Sequence, residues 1–272
     1  MNYLVLGSAG LIGSDLVRLL RENGHAVSEF DIKRDKSEDL RLKGDAKLVN
    51  LIKAADLVYF LAFDVGGSKY LQEYGRSFTF IQNNLQIMSN TFELLDAFHK
   101  PFIFASSQMS NMMHSPYGTL KLLGDQITKS LGGVIIKLWN TYGPEDDPGK
   151  THVITDFINM ARQGSIGMRT TGDEARQFLH VRDCSECLYL ISQRYSDLRS
   201  EEDIHITSFK WTKVIEIAEI ISKILPCKIG RGGLGDTTQD RQNQPSENIL
   251  KYWKPAITLE QGIRELIRDY SA

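Results

Sequence analysis

Short apolar runs recur through the first half of the chain, and each is followed by a segment whose apolar residues fall at helical spacing. The runs cover residues 3–6, 26–30, 57–61, 102–105 and 134–136. Runs that are apolar throughout, rather than alternating, belong to strands covered on both faces. Between them, Leu16, Val17, Leu19 and Leu20 repeat with helical period, and further helical patterns span 44–54, about 79–98 and about 116–130. Strands alternating with helices predict an α/β fold with a parallel sheet. Past Asn140 the rhythm changes. Pro and Gly cluster at 143–149, and the elements become shorter and mixed. A helix at about 151–163, a strand near 177–180, a helix at 182–193 and an apolar-rich helix at 211–225 are expected. Residues 228–247, rich in Gly, Asp, Gln and Asn, read as irregular loop. Two parts are expected: residues 1–140 with 178–206, carrying the alternating strands and helices, and a smaller mixed α/β part of 141–177 with 207–272.

The turn after the first strand carries Gly7, Gly10 and Gly13 and runs straight into a helix. Strand, glycine turn and helix together form the context in which glycines at this spacing bind a dinucleotide. Gly7 permits the sharp turn, Gly10 removes a side chain where a diphosphate approaches, and Gly13 lets helix and strand pack closely. The N–H groups of Leu11, Ile12 and Gly13 then open the helix toward the phosphates. The expected architecture is therefore a Rossmann-type doubly wound sheet. Asp31 ends the second strand, 18 residues past Gly13. A carboxylate there can accept hydrogen bonds from ribose hydroxyls and repels a 2′-phosphate, which favours NAD over NADP. Lys33 and Arg34 stand nearby as cations that can accommodate such a phosphate.

Charge and composition narrow the partners. The 272 residues carry a formal net charge of −2, so no broad basic surface for nucleic acid is implied. No apolar run approaches the roughly 20 residues of a membrane span. No signal peptide precedes the first strand, and three cysteines do not suggest a disulfide framework, so a cytoplasmic protein is expected. Cys184 and Cys187 fall within an apolar helical pattern with no second pair, and read as buried small side chains rather than a metal site.

Candidate chemistry lies on two later segments. Ser107 ends the strand that begins at residue 102, and Tyr117 and Lys121 come next on a predicted helix, four residues apart and therefore on one face. A phenol of ordinary pKa about 10 is a poor base at neutral pH. A neighbouring ammonium stabilises the phenolate. Tyr117 can then take a proton from a sugar hydroxyl while hydride leaves the same carbon, with Ser107 hydrogen-bonded to the oxygen and Lys121 also contacting the cofactor ribose.

With these segments in view, the chain resembles the extended short-chain dehydrogenase/reductases, the nucleotide-sugar epimerase/dehydratase family. The resemblance rests on residues 7–13, 56–62, 104–107, 117–121, 140–144, 176–183 and 252–255. It implies cofactor contacts at Leu61 and Ala62. It further implies a nucleotide diphosphate sugar as substrate, contacted by Ser107, by Asn140 in Asn-Thr-Tyr-Gly-Pro, by His152 and by Arg176. A second diphosphate arginine is expected in the late loop, with Arg231 and Arg241 as candidates. The family also implies a homodimer through the helices at about 85–98 and 117–130.

The two residues after Ser107 narrow the reaction. Gln108 and Met109 stand where dehydrating members carry Asp-Glu and decarboxylating members carry Glu. Residues 63–67 and 151–154 are similar to GDP-fucose synthases and GDP-mannose 3,5-epimerases, but Met109 lies near the place of their cysteine. What remains is hydride chemistry at C4. An NAD-dependent epimerase is the expected activity; a 4-keto nucleotide-sugar reductase and a non-catalytic NAD sensor are the alternatives. The loop between Ser107 and Tyr117 is shorter than is usual in the family.

Overall fold

The computed structural model describes residues 1–201, 204–235 and 243–270. The first half runs β1 (Asn2–Leu6), α1 (Leu11–Glu22), β2 (Ala26–Phe30), α2 (Ala46–Ala54), β3 (Leu57–Phe60), α3 (Ser68–Tyr74), α4 (Phe78–Ala97), β4 (Phe102–Ser107), α5 (Pro116–Ser130) and β5 (Val134–Leu138). It continues through β6 (Asn140–Tyr142), α6 (Val153–Arg162), β7 (Ser165–Gly167), β8 (Ala175–His180), α7 (Val181–Gln193), α8 (Tyr195–Leu198) and β9 (Ile204–Ile206). The last elements are β10 (Trp211–Lys213), α9 (Val214–Ile224), β11 (Lys228–Gly230) and α10 (Leu259–Asp269).

Six strands form one parallel sheet in the order β2-β1-β3-β4-β5-β9. Its apolar strands divide their side chains between two cores. Tyr3, Val5, Tyr59 and Ile103 pack toward α1 and α7, with Leu16, Leu20, Leu188 and Ile191. Leu4, Leu6, Phe60 and Phe104 pack toward α2, α4 and α5, with Leu48, Phe92 and Leu120. Burial on both faces is the reason these strands read as unbroken apolar runs. Local chemistry fixes the helix starts. The Asp45 carboxylate accepts from Leu48 N–H at 2.7 Å at the start of α2, the Ser77 hydroxyl accepts from Phe80 N–H at 3.1 Å at the start of α4, and Pro116 opens α5.

The chain moves from β1 outward to β2 and then back across to β3. The sheet therefore reverses direction between β1 and β3, and the carboxyl ends of these two strands diverge into a crevice. A smaller layer sits over that end. β10, β8 and β6 form a second sheet, and α6, α9 and α10 enclose a third core of Phe157, Ile158, Ile217, Ile221, Ile263 and Leu266.

Two sequence expectations change here. Residues 211–225 begin as the strand β10 before α9, and the region read as irregular loop contains β11, paired in parallel with β7. Strands of three residues are too short to display a period of two. Cys184 and Cys187 are fully buried, as their apolar pattern indicated, and no helix among the described residues is long and apolar enough to cross a membrane.

Candidate active site

The glycine turn lies in the crevice. Gly7 adopts φ +88°, and a Cβ on it would stand 2.7 Å from the Ala62 backbone nitrogen, at the end of β3. A Cβ on Gly13 would stand 2.1 Å from the Gly7 carbonyl oxygen. Glycine at both positions is what lets β1, the β3 loop and α1 meet. α1 has Gly10 at its N-cap and no side-chain cap, so no side chain occupies the N–H groups of its first turn. Leu11, Ile12, Gly13 and Ser14 line the cleft at the positive end of the helix dipole.

Asp31 closes one end of the cleft. Its carboxylate accepts from the Ala9 N–H at 2.9 Å and the Lys33 N–H at 2.8 Å, which ties the tip of β2 to the glycine turn. The neighbouring cations are engaged elsewhere: Arg34 pairs with Glu29 at 2.9 Å and Lys33 with Asp147 at 3.7 Å. Arg41 is held by Asp39 at 2.7 Å and reaches Asn83 at 3.3 Å.

Ser107, Tyr117 and Lys121 meet on the opposite wall. Ser107 ends β4, Tyr117 lies in the first turn of α5, and Lys121 comes one turn later. The Ser107 hydroxyl accepts from the Met109 N–H at 3.1 Å. The Lys121 ammonium donates to the Ala105 carbonyl at 2.6 Å and sits 3.6 Å above the centre of the Phe63 ring. The same Phe63 ring meets Tyr117 edge-on at 5.7 Å.

Burial governs the protonation of this pair. Desolvation pushes the Tyr117 phenol up to about 12, with the neighbouring Ser107 hydroxyl opposing it. Desolvation pulls the Lys121 ammonium down to about 7, with Asp125 opposing it. The expected lowering of the phenol by Lys121 is therefore not what this arrangement produces. The amine is turned toward Ala105 and Phe63, and removal from water outweighs attraction between the two groups. Both side chains are drawn toward their neutral forms.

A cleft of about 570 Å³ joins these parts, within the range of small-molecule sites. It is lined by Gly7, Gly10, Leu11, Ile12, Gly13, Asp31, Leu61, Ala62, Ser107, Tyr117, Lys121 and His152. Asn140 and Arg176 are not on its walls. They lie on adjacent strands β6 and β8, where Asn140 pairs with Phe178, and the alternation of β8 places Arg176 on the same sheet face. Arg176 donates to the Ala175 carbonyl at 2.9 Å. Arg231 is exposed and pairs with Asp173 at 3.7 Å. Arg241 falls outside the described residues. Gln108 is buried, and Asn243 donates to its side-chain oxygen at 2.6 Å.

Several contacts of the cleft residues carry no signal in the sequence. Asp64 accepts hydrogen bonds from Tyr70 at 2.7 Å, Lys150 at 2.8 Å and Asn83 at 3.0 Å. Its carboxyl lies below its ordinary range: burial raises it, but these donors together outweigh burial. The Glu145 carboxylate meets His152 Nδ1 at 2.5 Å and accepts from the His152 N–H at 3.0 Å. Separations of up to 86 residues hide such pairs from any local reading. Among the described residues no cluster of His, Cys, Asp and Glu could hold a metal ion.

A doubly wound sheet with a glycine cradle at its switch point, and Ser, Tyr and Lys at the ends of β4 and α5, defines an extended short-chain dehydrogenase/reductase. The family model "NAD dependent epimerase/dehydratase family" matches residues 3–207, and the chain belongs to that family. GDP-L-fucose synthase 1 of Arabidopsis thaliana is 24% identical, over 97% of this chain and 91% of its own. Among solved structures, the epimerase Mth375 of Methanothermobacter thermautotrophicus has a TM-score of 0.85 at 20% identity, covering 99% of this chain and 92% of that one. UDP-glucose 4-epimerase of Thermus thermophilus, solved with NAD, has a TM-score of 0.78 at 19% identity, covering 100% and 99%. These structural likenesses establish the shared fold.

Proposed function

We propose that this chain is an NAD-dependent nucleotide-sugar epimerase that acts by transient oxidation at C4 of the sugar. The observation that carries the reading is one cleft lined by the glycine cradle, by Asp31 and by Ser107, Tyr117 and Lys121. The cradle fits a dinucleotide: the uncapped first turn of α1 offers N–H donors to a diphosphate, and Asp31 offers a carboxylate to ribose hydroxyls. With Arg34 and Lys33 paired to Glu29 and Asp147, the carboxylates at this end favour NAD over NADP. When bound, the nicotinamide supplies the hydride acceptor and a positive charge. Tyr117 takes the proton of the C4 hydroxyl and later returns it. Ser107 hydrogen-bonds the same oxygen, and Lys121 favours the phenolate once it is charged. The substrate is held through its diphosphate by Asn140 and Arg176 in the smaller half, with His152 near the sugar.

The test is a panel of nucleotide sugars read at 340 nm and by product analysis. Tyr117→Phe should lower turnover by about 10³-fold while cofactor affinity changes little. Unchanged turnover in that variant overturns the assignment of the base. The 4-keto-sugar reductase reading is supported by the full-length relation to GDP-L-fucose synthase 1. Stoichiometric consumption of reduced cofactor would favour it. A non-catalytic sensor would bind cofactor and convert no sugar; the complete Ser107, Tyr117 and Lys121 set speaks against that.

A further inference from the structure

The segment between Pro144 and His152 crosses the mouth of the same cleft. Glu145, Asp146, Asp147 and Lys150 all line it, together with the glycine turn and Asp31. The segment is closed at its neck, because the two oxygens of Glu145 take the backbone N–H and ring Nδ1 of His152. The Glu145 N–H also donates to the Tyr270 hydroxyl, at 2.7 Å, at the C-terminal end of α10.

Two further attachments fix it across the crevice. On the β3 side, the Lys150 ammonium donates to Asp64 at 2.8 Å and lies 4.5 Å from the centre of the Tyr70 ring. The backbone there is drawn in tightly. Gly67 N–H donates to the Lys150 carbonyl at 3.0 Å, and a Cβ on Gly67 would stand 2.1 Å from the Thr151 carbonyl oxygen. On the β2 side, Asp147 pairs with Lys33, two residues beyond Asp31. The attachments thus lie in the loops that follow the two strands flanking β1, whose own end carries the glycine turn.

We propose that residues 145–150 form a strap that retains the dinucleotide through successive turnovers, with Lys150–Asp64 as its principal fastening. This rests on the reading of the cleft as a dinucleotide site. Dissociation then requires the strap to lift, and the part-buried Asp64 with its three donors must lose one of them. Lys33–Asp147 is half-exposed and contributes less. Retention suits a reaction in which oxidation and reduction of the sugar alternate on one cofactor, and opposes one in which cofactor must exchange each cycle.

The experiment measures binding and dissociation of reduced nicotinamide dinucleotide by its fluorescence, with excess oxidised dinucleotide as the chase. Wild type is compared with Lys150→Met, Asp147→Asn and, as a control distant from the strap, Arg18→Met. Lys150→Met should accelerate dissociation about five-fold or more, Asp147→Asn less, and Arg18→Met not at all. Circular dichroism melting verifies that each variant folds; if Lys150→Met does not, Asp147→Asn decides, with any acceleration beyond the Arg18→Met control as support. Normal binding with dissociation unchanged in the deciding variants overturns the strap and leaves the dinucleotide reading intact. No binding of either dinucleotide by folded wild type overturns both.

Discussion

Lys121 carries the most exposed conflict between stability and function in this molecule. Its ammonium is buried, with one carbonyl and an aromatic face for company, and its pKa falls to about 7 from an ordinary 10.5. Between those values the unfolded chain binds a proton that the native chain does not. Stability therefore rises with pH across that window, and the penalty is complete below pH 7. Lys121→Met should abolish turnover yet raise the stability of the ligand-free protein by a few kcal/mol near pH 7. The gain should shrink toward pH 10.5. Denaturant melts at pH 6.5, 8 and 9.5 check the sign; a destabilised variant at pH 6.5 would contradict it. The roles offered for Ser107, Tyr117 and Lys121 could be read from residue type and spacing alone, because α5 begins at Pro116 and keeps Tyr117 and Lys121 on one face. Their protonation could not, since it is set by Phe63 and Ala105, which approach from other strands.

At the scale of elements, the turn from β1 into α1 is the tightest junction. Gly13→Ala places a methyl group 2.1 Å from a backbone oxygen that belongs to the turn itself. Neither partner is a flexible side chain, so α1 must shift away from β1. The expected outcome is a melting temperature lower by about 5 °C or more and loss of measurable dinucleotide binding, checked by calorimetry and titration. Strands β1 to β5 of the main sheet were legible because burial on both faces writes them as apolar runs, and α6, β8 and α9 of the smaller layer were legible as well. The sixth strand of the main sheet, β9, and the remaining elements of the smaller layer were not. β6, β7, β9, β10 and β11 have three residues each, too few for periodicity. α10 is apolar only at Leu259, Ile263, Leu266 and Ile267 apart from Gly262, and its start is set by the reciprocal Thr258–Gln261 cap. Asn140 and Arg176 came from motif likeness alone, and the structure leaves both off the cofactor cleft, whose wall carries Trp139 and Thr141 on either side of Asn140.

On the scale of the whole molecule, the outer side of α4 and α5 carries exposed apolar side chains. Phe78 is 75% exposed, with Leu85 and Leu123 also open to solvent. Phe78 and Leu85 are seven residues apart and share a face of α4. We propose that this surface pairs two copies. Sedimentation at micromolar concentration should give a dimer mass, and Phe78→Asp should shift it toward monomer; a monomeric wild type would contradict the pairing.

α5 has duties on both of its sides. Leu123 is open to solvent, and only two residues earlier Lys121 lines the cleft. Any stiffening or displacement of this rod by a docked neighbour reaches the phenol without passing through a loop. If two copies pair as proposed, diluting the protein is expected to lower the specific rate per chain well before secondary structure is lost, which turnover and circular dichroism across a dilution series check.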